Sequence, residues 1–133
     1  MEKIQQRVEW VATLLVLLIP LALLVLGPRV VTKNMLPVPW DKFAHLLTFA
    51  LLALALGVAS RLRSAWALLP AFVGAGVVGV LDEWQQMVQP NRTADWADFA
   101  ANLTGAALGC LLLVMLTELR DRLVKHGLSE DMD

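Results

Sequence analysis

Four long apolar stretches dominate the chain, separated by short segments in which charges and prolines collect. They run from Trp10 to Gly27, Phe43 to Ser60, Ala65 to Leu81 and Phe99 to Thr117, the third continuing as a polar helical end to Gln86. Each approaches the ~20 residues that a helix needs to cross ~30 Å of hydrocarbon. Pro20 and Pro70 fall inside two of them, which membrane helices tolerate. Pro28 to Asp41 holds three prolines and reads as a loop, and Pro90-Asn91-Arg92-Thr93-Ala94 breaks the pattern again. The connection Ser60-Arg61-Leu62-Arg63-Ser64 is short, so the second and third spans are expected to be antiparallel neighbours. The pattern predicts an all-α fold: a polytopic, four-transmembrane-helix bundle forming one domain over residues 1–133. A charged tail over 118–133 would extend the fourth helix, with Ser129 to Asp133 disordered.

Composition agrees with lipid as the solvent. Of 133 residues, 58% are hydrophobic and 17% charged, more apolar surface than a soluble domain of this size can bury. A net charge of -1 gives no field for nucleic acid, so none is expected as a partner. The single cysteine, Cys110, has no second thiol and reads as a small core residue. Lys3 and Arg7 before an apolar stretch also fit a secretory signal peptide. That stretch ends in Leu26-Gly27-Pro28 without an A-x-A site, so it reads as an uncleaved helix. Seven Lys and Arg (Lys3, Arg7, Arg61, Arg63, Arg120, Arg122, Lys125) would lie on one side and four (Arg29, Lys33, Lys42, Arg92) on the other. Positive charge marks the cytoplasmic side, which places both termini in the cytoplasm.

The unusual residues are polar ones at the outward ends of spans two to four. Lys42, His45 and Phe49 fall on one helical face, as do Gly79, Glu83 and Gln86. Asp82 stands four residues before Gln86, and Asp98, Asn102, Gly105 and Gly109 form a stripe that is polar at its outer end and small at its inner end. Gly105-x-x-x-Gly109 and Ala75-x-x-x-Gly79 mark close helix contacts, within the chain or in a homo-oligomer. Charge in hydrocarbon is expensive, so the polar ends should seek one another or water. The expected cluster is Lys42, His45, Asp82, Glu83, Gln86, Arg92, Asp98 and Asn102.

Asp41-Lys42-x-x-His45-x-x-x-Phe49, Asp82-Glu83-x-x-Gln86, Arg92 and Asp98-x-x-x-Asn102-x-x-Gly105 together resemble the VanZ-like membrane proteins. The resemblance covers about half of the chain. It implies a protein of the bacterial cytoplasmic (inner) membrane and cell envelope, in a family named for a member associated with low-level resistance to the glycopeptide teicoplanin. It supplies no biochemical mechanism.

Three readings of the cluster follow from the residues. As a structural network, it would fix helix register through paired and hydrogen-bonded groups. As a ligand site, Lys42, His45, Glu83, Gln86, Arg92, Asp98 and Asn102 would hold a lipid-linked envelope precursor or a glycopeptide, with Arg92 as the bidentate anion anchor and Trp40, Trp84 and Trp96 nearby. As an enzyme, His45 would be the base, and Asp82, Glu83 or Asp98 the carboxylate acid or base. Asp82 and Glu83 point about 100° apart on a helix, and the cluster offers no serine, so a nucleophile is lacking unless a carboxylate takes that role. One histidine among carboxylates, without HExxH, leads to the expectation of no metal site and no cofactor.

Overall fold

The computed structural model describes residues 2–26, 39–60, 68–88 and 95–130, and these are almost entirely helical. Helix α1 spans Glu2–Leu21, α2 Trp40–Ala59, α3 Leu69–Met87 and α4 Trp96–Glu130. The segment 61–67, containing the two arginines of the short connection, and the segment 89–94, containing Arg92, lie outside the described residues.

Helix α1 starts within the charged head rather than at Trp10, and it continues as a π-helical turn over Ala22–Leu26. Pro20 accounts for the change. It has no N–H to donate to the carbonyl four residues back, and its ring crowds that turn. The ladder then widens to the i→i+5 pattern. The Gln85 side-chain amide of α3 donates to the Leu24 carbonyl, so the disturbed end is tied to the bundle. Only Ala12 of α1 is buried, while Leu14, Leu17, Leu18 and Leu21 are all more than half exposed. A continuous apolar face of this kind has lipid as its natural solvent.

Helices α2 and α4 make the most extensive pairing, and α1 and α3 pack around it. Phe49, Leu52, Ala53, Ala75 and Ala106 form the buried core where α2, α3 and α4 meet. The glycines of α4 set the spacing. A Cβ on Gly105 would stand 2.1 Å from the Leu46 carbonyl oxygen, and one on Gly109 would stand 2.2 Å from that of Ala50. The two glycines are thus consumed in an intrachain seam in which α4 lies on the α2 backbone. Gly79 admits Phe49 and Asn102 in the same way, with 3.3 Å to the Phe49 ring.

Three helices are long and apolar enough to cross a membrane: Glu2–Val25, Trp40–Ala59 and Trp96–Lys125. Helix α3 has 19 residues, and at ~1.5 Å per residue its length would suffice. Its last turns carry Asp82, Glu83, Gln85 and Gln86, however, which limit its continuous apolar stretch to residues 69–81. Helix α4 has 35 residues, ~50 Å, and so exceeds the hydrocarbon thickness. Its helix takes in Ser129 and Glu130, which the sequence pattern assigns to a disordered end.

Candidate functional site

The chain alternates direction, so the start of α2, the end of α3 and the start of α4 meet at one end of the bundle. Contacts there are Lys42 with Asp98, His45 with Asn102, and Glu83 with Asn102. Exposed tryptophans surround this end: Trp40 on α2, Trp84 on α3 and Trp96 on α4. Indole rings favour the membrane–water interface.

Seven of the eight expected residues converge here, and the eighth, Arg92, lies outside the described residues. Asn102 is the centre, 1% exposed. Its Oδ1 stands 2.9 Å from His45 Nδ1, and its Nδ2 donates to Glu83 Oε1 at 3.5 Å. Gln86 Nε2 donates to Asp82 Oδ2 at 3.1 Å, and His45 Nδ1 lies 4.0 Å from that same oxygen. Asp82, Glu83, Gln86 and Asp98 are all buried. Buried polar groups are costly without hydrogen bonds, and the amides of Asn102 and Gln86 supply them.

Lys42 holds the outer edge. Its ammonium donates to Asp98 and, at 2.8 Å, to Asp95, and it lies 3.4 Å from Asp41. Three carboxylates therefore share one cation. Asp95, left without a role by the sequence pattern, also accepts from the Ala97 N–H at 2.9 Å, and its own N–H donates to Glu83 Oε2 at 3.4 Å. It thereby caps the start of α4 and links it to α3. The ammonium of Lys42 holds the exposed Asp95 carboxyl below its ordinary value of 3.8. A depressed carboxyl of this kind stabilises the fold above its ordinary range, and that contribution fades only as pH falls through the lower folded value.

Two features add to the sequence expectation. Asp82 and Glu83 point in different directions along α3, yet both are buried, because α3 lies in a corner between α2 and α4. Asp82 turns to His45 and Gln86, and Glu83 turns to Asn102 and Asp95. Second, a ring nitrogen of His45 and carboxylate oxygens of Asp82 and Glu83 all lie within 4.8 Å of one another. All three belong to the cluster expected from the sequence, where a lone histidine among carboxylates led to the expectation of no metal site.

Chemically, the described cluster is rich in acceptors. Its carboxylates are Asp41, Asp82, Glu83, Asp95 and Asp98, set against Lys42 and the ring of His45. It contains no serine or cysteine among the described residues, and Cys110 lies ~12 Å further along α4 in an apolar environment with Leu68 and Phe72.

Apolar helices of membrane-spanning length with a buried polar cluster at one end define a small helical membrane protein. A family model, VanZ/LLP1, matches residues 2–117, and the chain belongs to that family. No curated protein and no solved structure matches the chain significantly.

Proposed function

We propose that the chain is a four-span protein of the bacterial inner membrane, both termini cytoplasmic, whose polar cluster opens outward and binds the head group of an envelope molecule. The observation that carries this reading is the convergence of five buried polar side chains, Asp82, Glu83, Gln86, Asp98 and Asn102, at the level of three exposed tryptophans. Intramembrane ionisable groups mark functional sites by default, because their burial is otherwise costly. The fourth span is α3, whose polar last turns supply the site. Lys42 is already engaged by three carboxylates, so it offers little to an incoming anion. Among the described residues the cluster is rich in carboxylate and amide acceptors, which favours a head group rich in ammonium and hydroxyl donors, as in a glycopeptide such as teicoplanin or the peptide and sugar part of a lipid-linked precursor. Binding is favoured over catalysis because, among the described residues, the cluster holds no serine or cysteine and its carboxylates are engaged by Lys42 and by buried amides.

The test is a titration in lipid nanodiscs, read by the fluorescence of Trp40, Trp84 and Trp96. Teicoplanin or a lipid-linked cell-wall precursor should give a saturable change that plain phospholipid does not. An identical response to plain phospholipid, or none to either ligand, refutes the reading. For orientation, Trp84→Cys in a Cys110→Ala background should label from outside intact cells, and labelling only after permeabilisation reverses the topology.

A further inference from the structure

We propose that His45, Asp82 and Glu83 form a binding site for one divalent first-row cation, of the Zn2+ or Mn2+ type. The three donors come from α2 and α3, and their ligand atoms all lie within 4.8 Å of one another. Around a cation with bonds of ~2.0–2.2 Å, ligand atoms stand roughly 3–3.5 Å apart. Side-chain adjustments of about 1 Å therefore close the site, with no movement of helices.

Three further observations favour a cation. The first is charge. Asp82 and Glu83 are 5% and 6% exposed and stand together beside the ring of His45. Two carboxylates held side by side in a medium of low dielectric attract a cation more strongly than they would in water. The second is support. Metal ligands are normally oriented by hydrogen bonds from a surrounding shell. Here Asn102 holds His45 and Glu83, and Gln86 holds Asp82, so each of the three has an amide partner. Those two amides are themselves buried, which keeps the geometry fixed. The third is donor chemistry. One imidazole with two carboxylates suits borderline and hard divalent ions, and three protein donors leave positions open for water or for an oxygen of a bound molecule. The inference does not rest on the ligand-binding reading, since a cation can occupy the site whether or not a head group does.

The experiment uses the purified full chain in detergent micelles, stripped with a chelator and then equilibrated with Zn2+ or Mn2+. The wild type should retain about one equivalent after desalting. Asp82→Asn and His45→Gln, checked for folding by thermal unfolding, should bind at least tenfold more weakly. A second measurement stands apart from variant stability. The chain has two histidines. In a His126→Asn background, Mn2+ should show spin-echo modulation from a directly bound imidazole nitrogen, which only His45 can supply. Absence of retained cation in the wild type, or absence of that nitrogen signal, overturns the proposal. Unchanged affinity in folded Asp82→Asn does so too.

Discussion

Gly105→Ala is expected to lose about 3 kcal/mol of folding stability, the upper end of what overpacking costs. The added methyl would stand 2.1 Å from the Leu46 carbonyl oxygen and 3.0 Å from the Leu46 Cα. Both atoms belong to backbone, so no rotamer relieves the clash and α2 and α4 must separate. Because those two helices make the most extensive contact in the bundle, the loss spreads along the whole seam. Gly76→Ala is the matched control. Its new methyl would meet only Leu103 Cδ2, at 3.6 Å, an ordinary contact. Replacing an unconstrained helical glycine by alanine stabilises a helix by up to about 1 kcal/mol, so this variant should be neutral or slightly stabilised. Unfolding in mixed micelles, followed by tryptophan fluorescence, measures both. Equal effects at the two positions would show that α4 does not lie on the α2 backbone.

Asn102→Leu should cost a similar amount, about 3 kcal/mol, for a different reason. Leucine has the same number and branching of side-chain heavy atoms as asparagine, so no cavity is created. What is lost is the amide that touches both His45 and Glu83. A buried polar group left without its partner costs roughly 1–3 kcal/mol, and here two groups each lose one partner. Asn102→Ser, which keeps a hydroxyl but not the reach, should fall between. The same unfolding assay decides, and an effect below ~0.5 kcal/mol for Asn102→Leu would mean that the amide is not the centre of the network.

The helices were legible from the apolar runs because lipid imposes a length and a hydropathy that a short sequence states directly. Their ends were less so. Helix α1 reaches back to Glu2 and α4 forward to Glu130, since charged residues beyond the hydrocarbon still favour helix when they follow an apolar helix. Helix α3 shows the limit from the other side. Its polar last turns belong to the same helix as its apolar body, and a criterion based on apolar length passes over it.

Within the site, the helical stripes brought Lys42 and His45 to face Asp98 and Asn102, because both stripes repeat at three and four residues and are anchored beneath by Phe49 and Gly105. Spacing on one helix says nothing about a partner on another. For that reason Asp95, outside every stripe, gave no hint that it would share Lys42, and Gln85 gave none that it would tie down the carbonyl of Leu24. Asp82 and Glu83 were expected in one cluster with His45, but the distances among the three were not legible from spacing. Local geometry separates the two carboxylates, and only the corner formed by α2 and α4 brings both inward.

The central claim is that this buried cluster binds a molecule rather than only holding helices together. Glu83→Gln tests it most directly, because it keeps size and hydrogen-bonding reach toward Asn102 while removing a buried negative charge. Folded abundance in the membrane and ligand binding in nanodiscs should be measured on the same preparation. The account predicts a protein that unfolds within about 1 kcal/mol of the wild type yet binds teicoplanin or the lipid-linked precursor at least tenfold more weakly. Unchanged binding by folded Glu83→Gln, or a loss of binding that only tracks a loss of folded protein, would contradict it.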